Sequence, residues 1–159
     1  DILTDVKILD ALLDGISFSY VLQKKPLGDG HAVLQAAKLI NSEPVVCIFA
    51  DDVIESRVPA ISQLTKVFKT CQKPVIALFR RSEEKIPHYG IVGVEKIANR
   101  LFKIKKIIEK PVLEEAPSNL AIAGRYILTP EIFDYLKKAK SGKNGEIILA
   151  EVINNQMLK

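Results

Sequence analysis

An unbroken apolar run from Val45 to Ala50 ends abruptly in two adjacent carboxylates, Asp51 and Asp52. Continuous rather than alternating apolarity is typical of a strand that is buried on both faces, as in a parallel sheet covered by helices. In such sheets, ligands bind at the carboxyl ends of the strands. Carboxylate oxygens there suit Mg²⁺, which takes one or two carboxylates and leaves its other positions to phosphate and water. A second interpretation is that the pair only ends a strand and caps a helix beginning near Ser56.

Composition restricts the class of protein. The 159 residues, 48% of them hydrophobic, are enough for one domain covering 1–159. No apolar run approaches the length of a membrane span and no signal pattern opens the chain, so we expect a cytoplasmic protein with no membrane partner. Cys47 and Cys71 lack metal-ligand spacing and are expected to be reduced thiols. A net charge of +4 without interleaved aromatic residues gives little reason to expect a nucleic-acid partner.

Hydrophobic periodicity predicts alternating helices and strands in the first half of the chain. The predicted elements there are a helix over 1–14, a strand over 16–23, a helix over 32–40, the strand over 45–50, a helix over 57–71 and a strand over 74–79. This order indicates an α/β fold, a mostly parallel mixed sheet flanked by helices. The remainder predicts an antiparallel pair of strands over 88–95 and 101–108, an extended segment over 118–128, and helices over 129–139 and 146–157.

The stretch from Gln23 to His31 carries groups suited to a nucleotide. Gln23 and Asp51 would lie at the same edge of a parallel sheet, and a glutamine amide offers both a donor and an acceptor to the edge of a base. Gly28 lets the backbone approach a ligand closely, although a tight strand-to-helix turn also explains it. His31 is better explained by capping or packing at the helix start than by catalysis, and Asp29 suits an N-cap or first-turn position.

Two later stretches carry groups suited to a sugar phosphate. Tyr89 and Gly90 lie at the start of a predicted strand, and Glu109 and Lys110 follow the end of the next one. A carboxylate can bind two vicinal hydroxyls while a neighbouring ammonium neutralises a phosphate. An exposed, charged strand end before Pro111 is the simpler alternative for Glu109 and Lys110.

Taken together, these residues resemble bacterial UTP–glucose-1-phosphate uridylyltransferases (UDP-glucose pyrophosphorylases), from about residue 16 to the C-terminus. The matching stretches, in chain order, are QKKPLGDGHAV at 23–33, ADD at 50–52, YGIV at 89–92, EKP at 109–111, APSNLAIAGRYIL at 116–128 and GEI at 145–147. The stretch at 116–128 is the most specific, because it separates this family from the related thymidylyltransferases. The resemblance implies a Rossmann-like nucleotidyltransferase (nucleotide-diphospho-sugar transferase) fold.

The resemblance also implies a reaction, in which glucose 1-phosphate and UTP give UDP-glucose and pyrophosphate with Mg²⁺ as cofactor. Attack by the sugar phosphate on the α-phosphorus needs no protein nucleophile, so catalysis is mainly positioning and charge neutralisation. By motif position, the resemblance gives Gln23 and Gly28 to uracil, Asp51 to Mg²⁺, Gly90 and Glu109 to glucose, Lys110 to the phosphate, and Tyr89, Ile122 and Gly124 to the substrate pocket. Asp52 aligns with a variable position and is not assigned to the metal.

The chain departs from the family pattern at several places. The glycine-rich GxGTRxLPxT loop with its following lysine, and a second metal-binding Asp expected beyond Lys159, are absent. Asp29 stands where Leu is usual, and Ala150-Glu151 where Thr-Asp is usual. We therefore expect an internal fragment that is inactive by itself, with a sheet incomplete at its N-terminus and an exposed edge that favours a homo-oligomer.

Three other functions stay open. The first is a sugar-1-phosphate nucleotidyltransferase for another base or sugar, such as a thymidylyltransferase, because one glutamine does not fix base identity. The second is a non-catalytic nucleotide-sugar-binding regulatory module. The third, a Mg²⁺- or Mn²⁺-dependent glycosyltransferase, fits less well, because the Asp-any-Asp signature is broken by Val53.

Overall fold

The computed structural model describes residues 2–142 and 144–157. Within these residues, five strands form one sheet: β1 Val45–Ile48, β2 Val75–Arg80, β3 Gly90–Ala98, β4 Leu101–Glu109 and β5 Leu120–Leu128. The same described ranges contain five α-helices: α1 Ile2–Leu13, α2 Asp29–Gln35, α3 Ala60–Cys71, α4 Glu131–Lys138 and α5 Leu149–Met157. Short 3₁₀ turns cover Ala36–Leu39, Glu83–His88 and Leu113–Glu115. Among the described helices, none is long and apolar enough to cross a membrane.

Strand β5 is the centre of the sheet. It pairs with β1 along one side and β2 along the other, since both Cys47 and Ile76 lie opposite Tyr126. Its first residues also pair with β3, where Ile91 lies opposite Ala121. The α/β architecture is confirmed, but the mostly parallel pairing is wrong, because every pairing recorded among the described strands is antiparallel. β1 and β2 do run in the same direction, as expected of strands joined through α3, but β5 lies between them.

β1 is shorter and more exposed than its composition predicts. It ends at Ile48, and its residues alternate between half-buried and exposed. Val45 and Cys47 pack against the core, whereas Val46 and Ile48 are 45% and 53% exposed. The prediction of burial on both faces is therefore wrong within the described residues: one face packs on the core and no described element covers the other.

The segment over 16–23 has no regular secondary structure and is not a strand of the sheet. Its apolar side chains are exposed, Tyr20 at 91% and Leu22 at 76%. Alternation predicted a strand here, but no strand in the described part of the chain pairs with it. Helix α3 also begins later than predicted, at Ala60, because Pro59 in an extended conformation precedes it and disfavours helical geometry at Val58.

The core lies between the sheet and helices α2, α4 and α5. Its largest fully buried side chains include Leu128 from the central strand, Ile132 and Leu136 from α4, and Leu149 from the start of α5. The last helix also covers the outer strand of the β3–β4 pair, where the Asn154 side chain accepts a hydrogen bond from the Ile107 main-chain N–H at 2.7 Å. A backbone donor on an edge strand is thereby satisfied.

Candidate functional site

Asp51 is presented by a tight turn directly after β1. The main-chain N–H of Asp52 donates to the carbonyl of Phe49 at 3.3 Å, which closes the turn and leaves Ala50 and Asp51 in its middle. The turn is attached to the central strand because the Phe49 N–H donates to the Gly124 carbonyl at 2.9 Å. Asp51 is exposed, whereas Asp52 is half-buried. The first carboxylate is therefore available to a ligand.

Arg125 holds the same turn from the side of β5. Its guanidinium donates to the carbonyls of Phe49 at 2.7 Å and Gly124 at 3.0 Å, and also to the carbonyl of Asp52. Arginine suits this task because its planar group carries several donors and stays charged. Sequence reasoning missed this role, since nothing in the local pattern shows that a residue after Gly124 reaches a turn more than 70 positions away.

Gly124 is required by the close approach of Asp52. It has a φ of +51°, and a Cβ at this position would lie 2.2 Å from Asp52 Oδ2 and 3.0 Å from the Phe49 Cβ. Both the backbone conformation and the available space therefore demand glycine. The Asp52 carboxylate therefore packs against β5 at this position.

The two stretches predicted to bind a sugar phosphate lie side by side. Gly90 opens β3 directly opposite Glu109 at the end of β4, and the Lys110 N–H donates to the Tyr89 carbonyl at 3.1 Å. A Cβ on Gly90 would lie 3.0 Å from Glu109 Oε2 and 3.2 Å from Ile122 Cδ1. The glycine thus leaves room for the carboxylate beside Ile122, two positions before Gly124 on β5.

Burial controls the electrostatics of Glu109. Desolvation raises the pKa of this carboxyl above its ordinary value, Asp29 and Glu151 raise it further, and the ammonium of Lys110 opposes them. The influence of Asp29 on Glu109 shows that the start of α2 and the end of β4 share one electrostatic environment. A half-buried carboxylate of this kind can accept hydrogen bonds from neighbouring hydroxyls.

An open cleft of about 400 Å³ separates α2 from β1 and its turn. Its lining residues come from these two elements: Asp29, Ala32, Val33, Cys47, Ile48, Phe49, Ala50 and Asp51. Burial raises the pKa of the Cys47 thiol to about 11, so this cysteine is protonated at neutral pH and is a poor nucleophile. Because Asp29 and Asp51 both line this cleft, the start of α2 and the turn after β1 face the same opening.

The predicted base-binding residues are joined to the start of α2 by hydrogen bonds. The Gln23 Nε2 donates to the Gly28 carbonyl at 3.0 Å and lies 2.9 Å from His31 Nδ1. Gly28 has a φ of +96°, and a Cβ there would lie 2.6 Å from the Ile147 carbonyl. Gln23 is therefore attached to the start of α2 and does not, as predicted, lie at the end of a sheet strand. No hydrogen bond joins Gln23 to Asp51 in the described residues.

Asp29 ties the start of α2 to the start of α5. Its Oδ1 accepts hydrogen bonds from the main-chain N–H of Gly30 at 2.6 Å and of Leu149 at 2.9 Å. Burial raises the pKa of this carboxyl, although the N–H donors oppose the rise. The first-turn position of Asp29 is confirmed. Because Leu149 precedes Ala150, the departures from the family pattern at 29 and 150–151 are neighbours in space.

The carboxylates fit a metal held together with a substrate. Among the described residues, no group of three or more His, Cys, Asp or Glu side chains converges to hold an ion by itself. Asp51 is a single exposed hard-oxygen donor at the mouth of the cleft. This donor set suits Mg²⁺, which often takes one or two carboxylates and completes its shell with phosphate and water.

Comparisons with known proteins identify the family of the chain. A family profile described as "Nucleotidyl transferase" matches residues 4–159. A UTP–glucose-1-phosphate uridylyltransferase 1 of Staphylococcus saprophyticus is 41% identical over 155 residues, which are 98% of this chain and 53% of that protein. A UTP–glucose-1-phosphate uridylyltransferase of Pseudomonas aeruginosa is 37% identical over 91% of this chain and 53% of its own length. The chain thus spans about half the length of the curated relatives it matches.

Solved structures give the same result for the fold. A UDP-glucose pyrophosphorylase complexed with UDP-glucose superposes with a TM-score of 0.91 and 38% identity, over 96% of this chain and 59% of that one. A UTP-bound enzyme of the same kind from Acinetobacter baumannii gives a TM-score of 0.75 and 27% identity, over 96% of this chain and 55% of that one. The profile match extends over nearly the whole chain, and on that ground the chain belongs to the nucleotidyl transferase family.

Proposed function

We propose that the full-length protein is a UTP–glucose-1-phosphate uridylyltransferase, which converts glucose 1-phosphate and UTP into UDP-glucose and pyrophosphate. The observation that carries the proposal is that Gly90 and Glu109 meet at Ile122, two positions along β5 from Gly124, which contacts the turn that presents Asp51. A carboxylate for sugar hydroxyls and a carboxylate for a phosphate-bound metal are thereby connected through β5. Two curated relatives, 41% and 37% identical to this chain, carry this activity in their names.

The reaction forms one bond and breaks one. An oxygen of the sugar phosphate attacks the α-phosphorus of UTP, and the bond from that phosphorus to the bridging oxygen of pyrophosphate breaks in line. No protein side chain has to form a covalent bond, so the residues act by positioning and by neutralising charge.

Each residue has a role that follows from its chemistry. Gln23 and Gly28 hold the base, and Glu109 accepts hydrogen bonds from sugar hydroxyls at the space left by Gly90. The ammonium of Lys110 is exposed and follows Glu109 directly, which suits contact with the sugar phosphate. Asp51 holds Mg²⁺, which would supply positive charge to the phosphate oxygens.

Pyrophosphate release by the full-length protein tests the proposal. The assay supplies glucose 1-phosphate and Mg²⁺ with UTP, dTTP, ATP or GTP in turn. We expect turnover with UTP, and about a 100-fold loss in Asp51→Ala and Lys110→Ala. Asp52→Asn is the matched control, since this neighbouring carboxylate packs on Gly124. Selective turnover of dTTP would keep the mechanism and replace the substrate, whereas folded protein that turns over none of the four would contradict the enzyme assignment.

A further inference from the structure

His31 lies between two glutamine side chains at the start of α2. Its Nδ1 is 2.9 Å from Gln23 Nε2, and its Nε2 is 3.2 Å from Gln35 Nε2. Both glutamine orientations are set by main-chain carbonyls, which can only accept. Gln23 Nε2 donates to the Gly28 carbonyl at 3.0 Å, and Gln35 Nε2 donates to the His31 carbonyl at 3.1 Å. Each glutamine therefore turns its NH₂ group toward the imidazole.

The neighbouring donors and acceptors decide which nitrogen of the His31 imidazole carries the proton. A neutral histidine carries one N–H and has one acceptor nitrogen. Both ring nitrogens face an NH₂ group, so only one of the two contacts can be a hydrogen bond in the neutral imidazole. The contact to Gln23 is the shorter, so Nδ1 accepts from Gln23 and the proton is on Nε2, where the 3.2 Å contact with Gln35 is not a hydrogen bond. An N–H on Nδ1 would face the NH₂ group of Gln23, donor against donor. Gln23 would then have to reverse its amide and lose its bond to the Gly28 carbonyl.

This state of His31 fixes what Gln23 offers to a ligand. Both N–H groups of its amide are used, one on Gly28 and one on His31. Its Oε1 accepts no hydrogen bond from the part of the chain that the structure describes. Gln23 therefore presents an acceptor. Uracil carries a ring N–H at N3 that an acceptor can bind, whereas cytosine in the same pose presents the N3 lone pair, which an acceptor repels.

We propose that His31 is a positioning residue for base selection: its bare Nδ1 holds the Gln23 amide with Oε1 toward the base, which favours uracil over cytosine. The inference rests on the proposed function for the identity of the ligand. It requires no contact between His31 and the nucleotide.

The arrangement can be tested without any nucleotide. Long-range ¹H–¹⁵N correlation spectra of histidine-labelled full-length protein report which imidazole nitrogen carries the proton. His31 is assigned by the loss of its signals in His31→Asn. We expect the proton on Nε2 and a bare Nδ1, and a proton on Nδ1 would overturn the inference.

The effect on selectivity is tested by kcat/KM for UTP and for CTP with glucose 1-phosphate. His31→Leu removes the acceptor, and we expect the preference for UTP over CTP to fall about tenfold. His31→Asn keeps an acceptor oxygen near the Nδ1 position and should keep the preference within about threefold. Gln35→Leu, which removes a hydrogen bond from α2 without touching Gln23, should leave the preference unchanged.

The outcomes distinguish failure of the proposed role of His31 from failure of the proposed function. If His31→Leu lowers kcat/KM for both nucleotides by one factor, the residue is only structural and the inference is overturned while the proposed function stands. If the wild-type protein does not prefer UTP to CTP, the proposed function and the inference fall together. Should His31→Leu fail to fold, the spectra and the His31→Asn ratio still decide, because loss of preference in a folded His31→Asn protein overturns the inference.

Discussion

The guanidinium of Arg125 donates a hydrogen bond to the main-chain carbonyl of Phe49 at 2.7 Å, across 76 positions of the chain. The same side chain also serves the carbonyls of Gly124 and Asp52. The turn that presents Asp51 is therefore held by charge-assisted bonds to its backbone, and the carboxylate of Asp51 stays available to a ligand.

Replacing Arg125 by lysine should loosen this turn. A lysine cannot reproduce the planar set of donors, so we expect the free energy of unfolding to fall by about 1–3 kcal/mol and pyrophosphate release to fall with it. Urea denaturation and the pyrophosphate assay on the full-length protein measure both effects. Arg100→Lys is the matched control, because Arg100 is exposed and bonds only the Gln63 side chain at 3.3 Å in the described structure. Equal effects at the two positions would contradict the role of Arg125.

Gly124→Ala should lower the free energy of unfolding by more than backbone strain alone, because the new Cβ would also meet Asp52. Gly145 also has a positive φ, +79°, but a Cβ there would meet no atom of the described structure within 4 Å. We expect Gly145→Ala to cost about 1 kcal/mol from conformation alone, and Gly124→Ala to cost at least about 1 kcal/mol more, because its Cβ meets Asp52 Oδ2. The double variant Gly124→Ala/Asp52→Ala should recover part of the difference in urea unfolding. A purely additive result would disprove the contact.

Gly90→Ala should affect substrate binding more than folding. Its new Cβ would lie 3.0 Å from Glu109 Oε2, the flexible end of a side chain that can move away. We expect KM for glucose 1-phosphate to rise about tenfold, with a change in unfolding free energy below about 1 kcal/mol. Gly93→Ala is the control on the same strand, since its Cβ would approach Pro117 at 3.2 Å instead. An unchanged KM in Gly90→Ala would remove Glu109 from the sugar site.

The buried carboxyl of Asp29 should make stability depend on pH. Burial raises its folded-state pKa above the ordinary value of 3.8, so the folded state binds the proton more readily than the unfolded state does. The resulting stabilisation is fully present below pH 3.8 and is lost as pH rises through the raised folded-state pKa.

Asp29→Asn isolates this effect. The two recorded hydrogen bonds from main-chain N–H groups are both accepted by Oδ1, and asparagine keeps that oxygen. Relative to Asp29→Asn, the wild-type protein should lose stability in urea as pH is raised from about 4 to 7. Asp29→Ala should lose both bonds and about 1–3 kcal/mol at every pH. A difference between wild type and Asp29→Asn that does not change with pH would show that ionisation of Asp29 carries no cost.

Local patterns predicted the elements that depend on local chemistry. The β3–β4 pair follows from alternating residues on both sides of Asn99 and Arg100, and its ends bring Tyr89-Gly90 to Glu109-Lys110 as expected. Helix α4 follows from Pro130 and a 3.6-residue period. The exposure of Asp51 after an apolar run was likewise visible in the sequence.

What the sequence did not reveal depends on contacts between distant residues. An apolar run does not say which neighbour a strand will have, so the insertion of β5 between β1 and β2 could not be read from either strand. The bond from Asp29 to Leu149 spans 120 positions, and its local signal was only that of a first-turn acid. The segment over 16–23 has the alternation of a strand, but alternation cannot supply a pairing partner.

The central position of β5 has a consequence for biosynthesis. β1 and β2 find their recorded sheet partners in β5, whose last residue is Leu128. While the ribosome is still making the residues before Leu120, these two strands have no hydrogen-bonding neighbour among the described residues, and their apolar side chains are open to other chains. The β3–β4 pair can form early because its strands are adjacent in sequence, whereas the pairing of β1 and β2 with β5 has long sequence separation and is expected to be late.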